Sequence, residues 1–116
     1  MSATPSSHVV ERAAGGTYEP FIHQGRPVGE IRALAPAEPA AAALAAGLWR
    51  SGPASYDYLF EADEAFVVLE GKATITLPQT GEIVELVAGD VAYFAAGTRS
   101  RWTITEQFLK FVVNPA

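Results

Sequence analysis

From Leu44 onward the chain is cut into short apolar segments by turn residues at close spacing. The breaks fall at Gly52-Pro53, Glu70-Gly71, Pro78 to Gly81, Ala88-Gly89-Asp90 and Ala96-Gly97. Between them lie Tyr56 to Phe60, Ala65 to Leu69, Lys72 to Leu77, Ile83 to Val87, Val91 to Phe94, Ser100 to Thr105 and Phe108 to Val113. Many short strands at such spacing predict an all-β sandwich or barrel. No strand alternates with a helical pattern, which disfavours a parallel α/β sheet. Two of the turns have a mechanism. Thr80-Gly81 supplies the positive φ that closes a hairpin between Leu77 and Ile83, and Gly89-Asp90 suits a tight reversal before Val91.

The first third of the chain is less regular. Residues 1–16 end in Ala13-Ala14-Gly15-Gly16 and predict a mobile arm, leaving residues 17–116 as one domain. Tyr18 to Ile22 reads as a first strand, Gly25 to Gly29 as a turn and Glu30 to Leu34 as a second strand. Pro36 to Ala46 is alanine-rich, which favours helix, yet Pro36 and Pro39 confine any helix to its end. Two readings stay open there: a helical turn followed by a strand, or one irregular strand. A chain of 116 residues with 49% hydrophobic and 18% charged residues is globular and long enough for one core. It has no cysteine, so disulfides and thiolate metal sites are out. With 8 Lys+Arg against 13 Asp+Glu the net charge is -5, which argues against a nucleic-acid partner. No apolar run reaches the length of a membrane span. Met1 to Ser7 lacks the basic start and apolar stretch of a secretory signal, so the expected location is the cytoplasm.

Two spaced motifs make the expectation specific. The first is Gly52, five residues, Tyr58-Leu59-Phe60, three residues, Glu64, six residues, Gly71. The second is Gly89-Asp90, four residues, Ala95-Ala96-Gly97, two residues, Ser100. In order, and flanked by Trp49 and Trp102, they resemble the paired signatures of the cupin superfamily. With Phe94, Thr98 and Lys110 the pattern is similar to small single-domain cupins related to ureidoglycine aminohydrolase and to the ethanolamine-utilization cupin. The resemblance implies an antiparallel jelly-roll barrel, the RmlC-like double-stranded β-helix, with a ligand cavity inside. It also implies a homodimer formed through N-terminal strands, a role that Tyr18 to Ile22 suits by covering a sheet edge. In metal-binding cupins the positions of Tyr58, Phe60 and Ser100 carry histidines, and that of Glu64 the fourth ligand.

Strand side chains alternate, so in this register Tyr56, Tyr58 and Phe60 share the inner face. Glu64, Phe66 and Val68 form the inward set of the next strand, and Ser100, Trp102 and Ile104 that of a later one. Asp57 and Arg101 are expected outside. The cavity is then aromatic, with Glu64, the tyrosine hydroxyls and Ser100 as its polar points. A carboxylate there loses solvation, which favours its neutral form unless a donor or cation compensates. That makes Glu64 a candidate general acid or base, with Tyr58 as its hydrogen-bond donor. Tyr56, Phe60, Phe66, Ser100 and Trp102 are the ligand-binding candidates. Trp49 reads as core. Lys72 and Lys110 read as solvated strand charges, and Asp90 and Thr98 as turn-satisfying groups.

No metal is expected. Only Glu64 survives from the ligand set, and one carboxylate does not hold a divalent ion tightly. Tyr58 would ligate only as a phenolate. His8 reads as a solvated residue of the arm and His23 as a surface or edge histidine. The first functional reading is a metal-free cupin binding a small organic molecule. If it catalyses, proton transfer by Glu64 fits best, in an isomerisation, elimination or hydrolysis of a small polar metabolite. A second reading is an enzyme of the ureidoglycine aminohydrolase type, with manganese or another divalent ion held through Glu64. A third is a non-catalytic dimeric module that supports a partner protein.

Overall fold

A computed structural model describes residues 8–34 and 42–116, and every regular element in them is a β-strand. Eight strands run in chain order: β1 (Glu19–His23), β2 (Arg26–Ala33), β3 (Leu44–Ser51), β4 (Ala54–Leu59), β5 (Glu64–Leu77), β6 (Glu82–Val87), β7 (Val91–Phe94) and β8 (Arg99–Pro115). All pairings are antiparallel, in the order β1-β2-β3-β8-β5-β6, with β4 added on β8 and β7 on β5. This is the expected all-β jelly roll.

The two long strands serve both layers. The first part of β8 pairs with β4, from Arg99 to Ile104, and its last part with β3, from Phe108 to Pro115. Likewise β5 pairs with β7 at Glu64 to Val67 and with β6 at Lys72 to Leu77. Two breaks in the apolar pattern, at Glu70-Gly71 and at Glu106-Gln107, are therefore interior to strands rather than turns between them. At Gly71 the strand bulges, and the β5–β8 register shifts on both sides of it. An extra residue bends a strand and increases its twist, which is what carries β5 from one layer into the other. The reversal between β1 and β2 is also tighter than the sequence implied. It occupies Gln24-Gly25, both with positive φ, while Pro27 and Gly29 lie within β2.

The strand turns follow the residues that suggested them. Gly81, at φ +76°, donates its N–H to the Leu77 carbonyl at 2.7 Å, and Thr80 Oγ1 accepts the Glu82 N–H at 3.3 Å. Asp90 Oδ2 accepts the Val87 N–H at 2.8 Å, closing the β6–β7 reversal. Asp57 and Arg101, directly opposite on β4 and β8, lie outside and form an exposed 2.8 Å ion pair, of a kind worth little to stability. The alanine-rich stretch becomes strand from Leu44; residues 36–41, where a helical turn was considered, lie outside the described residues, as do residues 1–7 of the proposed arm. Residues 8–18 form no regular element, and Arg32 ties them down by donating to the carbonyls of Gly15 and Arg12. No helix among the described residues is long and apolar enough to cross a membrane.

The core lies between the layers. Phe60, Val68, Ile75 and Phe108 are fully enclosed, with Phe66, Phe94, Trp102 and Trp49 around them. Phe60 and Phe94 stack at 4.6 Å with their planes 8° apart, and Phe66 continues the stack at 6.0 Å from Phe94. This stack borders the polar residues described next: Tyr58 packs edge-on against Phe60 at 4.8 Å, and Phe66 lies 4.3 Å from the Lys110 ammonium.

Candidate functional site

The candidate site is built by four strands, β3, β4, β5 and β8. On β8, alternation places Phe108, Lys110 and Val112 on the same face as Trp102 and Ile104, because all five are even-numbered positions of one continuous strand. Lys110 is paired in register with Trp49 of β3 and Val68 of β5. Glu64, the first residue of β5, lies opposite Phe94 of β7. Tyr56 and Tyr58 project from β4. Together Trp49, Tyr56, Tyr58, Glu64, Trp102 and Lys110 bound a cavity of about 110 Å³, and Phe21, Val28 and Ile31 of the β1–β2 hairpin close over it. That is somewhat below the roughly 150 Å³ cavity that holds benzene in an engineered protein core.

The polar centre is a buried ion pair. Lys110 Nζ lies 2.9 Å from Glu64 Oε2, and the two side chains are only 7% and 8% exposed. Three rings surround the ammonium, with Nζ 4.3 Å from the centre of Phe66, 4.8 Å from Trp102 and 5.2 Å from Trp49. Their faces attract a cation, but they also keep water away from it. Burial accordingly pushes the Lys110 amine below its ordinary range, an effect partly opposed by the charge and hydrogen bond of Glu64. Reading Lys110 as a solvated strand charge is therefore wrong. The lysine is the cation that the buried carboxylate required.

Tyr58 completes the cluster. Its hydroxyl donates to Glu64 Oε1 at 3.3 Å, and burial first, then the Glu64 charge, holds the phenol neutral far above its usual range. An acid whose folded-state pKa is raised loses stability as pH climbs past its unfolded value, because only the unfolded chain gives up the proton there. For Tyr58 that window opens at about pH 10. We expect native protein at about pH 11 to show the same phenolate absorbance with and without Tyr58→Phe. A loss equal to one tyrosine would show that Tyr58 ionises normally.

The remaining candidates divide between the cavity and its support. Tyr56 and Trp102 line the cavity; Phe60 and Phe66 belong to the stacked core behind it. Ser100 is buried, but its hydroxyl donates at 2.7 Å to the carbonyl of Tyr58, its partner across β4 and β8. It fixes the backbone that carries Tyr58 rather than lining the cavity. Trp49 also lines the cavity, with its indole N–H bonded to the Val28 carbonyl at 2.9 Å. The buried Trp102 indole N–H has no hydrogen-bond partner among the described residues. His23 is buried too, packed on Tyr58 with ring centres 4.4 Å apart and accepting the Leu59 N–H at 3.4 Å. It anchors β1 against β4 and is more than an edge residue.

The metal positions of the cupin pattern do not fit a cation here. Phe60 has no donor atom, the Ser100 hydroxyl is committed to a carbonyl, and Tyr58 is held as a phenol. Glu64 already faces an ammonium at 2.9 Å, whose charge would repel a metal ion beside it. Among the described residues no three His, Cys, Asp or Glu side chains cluster as a ligand set.

The profile of the EutQ-like cupin domain matches residues 39–111. Solved structures with the same fold include ethanolamine utilization protein Q (EutQ) from Salmonella typhimurium, with TM-score 0.71 and 19% identity over 99% of this chain and 98% of that one. The polyketide cyclase RemF from Streptomyces resistomycificus matches with TM-score 0.75 and 19% identity, over 91% of this chain and 78% of that one. The EutQ protein of Clostridium difficile matches with TM-score 0.66 and 18% identity over 76% of this chain, which spans 62% of its length. At these identities the likeness is one of fold. No curated protein matches the chain.

Proposed function

The chain belongs to the EutQ-like cupin domain family, and from that footing we propose that it binds a small organic molecule in the barrel without a resident metal ion. The observation that carries this reading is the cavity of about 110 Å³ with a charged pair set in an aromatic wall. A barrel meant only as a scaffold gains nothing from leaving that space beside two buried charges. Pairing them costs desolvation that an apolar filling would avoid. The ligand's apolar body lies against Trp49, Tyr56 and Trp102, and its polar end meets Glu64, Lys110 and Tyr58. The unpartnered Trp102 N–H supports a ligand that carries an acceptor, because buried donors are ordinarily satisfied.

Propionamide and 1-propanol, both smaller than benzene and polar at one end, are suitable probes by protein-observed NMR. Resonances of Trp49, Trp102 and Tyr58 should shift together. Glu64→Gln should weaken propionamide binding by about tenfold or more, the range for a hydrogen bond to a charged group, while the fold persists by circular dichroism. Undiminished affinity in a folded Glu64→Gln variant would remove Glu64 as an orienting group. Absence of any shift for both probes would count against an accessible cavity.

A further inference from the structure

We propose that Lys110 forms an imine with a small aldehyde or ketone bound in the cavity, so that the ligands of this site are carbonyl compounds. The inference deepens the binding role proposed above and rests on it.

Three features of the geometry lead there. The first is that Lys110 is one of the residues lining the cavity that a ligand would occupy. A lysine recruited only to neutralise Glu64 has no need of empty space beside it. The second is the setting of the amine. The chain has two lysines; Lys72 is exposed on β5, whereas Lys110 is enclosed by Phe66, Trp102 and Trp49. A lysine desolvated in an apolar pocket is the kind that attacks carbonyl carbons, since its neutral form is more accessible. The direction in which burial moves the Lys110 amine agrees with this. The third is Glu64 Oε2, 2.9 Å from Nζ, which is within proton-transfer reach of the nucleophile. Its other oxygen is held by the Tyr58 hydroxyl at 3.3 Å, so the carboxylate is oriented from both sides.

The chemistry closes without an external reagent. Glu64 takes one proton from the ammonium. The freed nitrogen pair adds to the carbonyl carbon, and the displaced π pair goes to oxygen, which takes that proton back from Glu64. The added nitrogen then gives a second proton to Glu64. As the nitrogen pair forms the C=N bond, the C–O bond breaks, and the hydroxyl leaves as water with that proton. The sum is ammonium plus carbonyl compound giving protonated imine plus water, with charge conserved and Glu64 returned as carboxylate beside the new cation. The ion pair survives in another form, so the product is no worse neutralised than the starting lysine.

The test is reductive trapping in wild-type protein. Propanal and sodium cyanoborohydride are added, and peptide mass spectrometry locates the propyl group. Lys110 should be labelled ahead of exposed Lys72 and the N-terminal amine, and Glu64→Gln should slow labelling at Lys110 by roughly 10²-fold, the lower range for lost proton transfer. Label confined to Lys72 and the N-terminus, or equal at all amines, overturns the proposal. 1-Propanol, of the same size but without a carbonyl, separates the two levels of inference. If it shifts the Trp102 and Tyr58 resonances while Lys110 stays unlabelled, the imine falls and the binding site stands. If neither compound enters, the site falls and the imine with it.

Discussion

Lys110→Met, made alone, should cost about 3–5 kcal/mol of folding stability, the range for removing one partner of a buried ion pair. Methionine matches the lysine stem closely enough that packing against Trp49, Phe66 and Trp102 is little changed, so the loss is electrostatic. It leaves Glu64 buried at 7% exposure with, among the described residues, the Tyr58 hydroxyl to answer it. Such a loss is a large part of the 5–15 kcal/mol typical of a domain, and the single variant is expected to melt many degrees lower or to be partly unfolded. Removing the other charge as well should reverse most of it. In Glu64→Leu/Lys110→Met no buried charge remains, and apolar replacement of a buried pair is commonly neutral or stabilising. Chemical denaturation of the two single variants and the double gives the coupling directly. A double variant less stable than either single one would mean that the pair is not the independent electrostatic unit seen at 2.9 Å. A stable double variant that no longer binds the probes would show that the charges are kept for the ligand rather than for the fold.

How this pair escaped the sequence has a physical explanation. Glu64 and Tyr58 are fixed by motif spacing, and their inward direction follows from alternation along β4 and β5. The last part of β8 offers no such contrast. Phe108, Lys110 and Val112 alternate with Leu109, Phe111 and Val113, so both faces look apolar and the lysine is the natural residue to send outward. The register becomes legible only when β8 is continuous from Arg99, so that the inward parity of Ser100, Trp102 and Ile104 carries through to Lys110. The break suggested at Glu106-Gln107 hid that continuity. Ser100 is a different case. Its direction was right, but a short hydroxyl beside an opposing strand bonds the nearest carbonyl, here that of Tyr58 at 2.7 Å. The turns at Thr80-Gly81 and Gly89-Asp90 were legible because their chemistry is local and needs no tertiary partner. The break at Glu70-Gly71 looked equally local, yet its glycine answers to a strand distant in sequence.

Gly71→Ala carries the second large effect and tests that last point. Gly71 has φ +88°, where an L side chain is strained. A Cβ built there would lie 2.1 Å from the Gln107 carbonyl oxygen and 2.9 Å from Phe108 Cα. These are backbone atoms of a paired strand, so they have no rotamer through which to yield. Backbone strain of about 1–3 kcal/mol is joined by an overpacking cost of about 1–3 kcal/mol, and the expected loss by denaturant titration is their sum, about 2–6 kcal/mol. Gly81→Ala is the matched comparison: at φ +76° the strain is similar, but among the described residues nothing beyond its chain neighbours comes within 4 Å of a Cβ there. It should lose only the strain, about 1–3 kcal/mol. The excess of Gly71→Ala over Gly81→Ala therefore measures the close approach of β5 to β8 at the bulge. Displacing Gln107 and Phe108 also moves the segment that places Lys110 two residues later, so a surviving Gly71→Ala protein should bind the cavity probes more weakly. Equal losses from the two substitutions would mean that the strands separate easily there, and that the bulge does not set the position of Lys110.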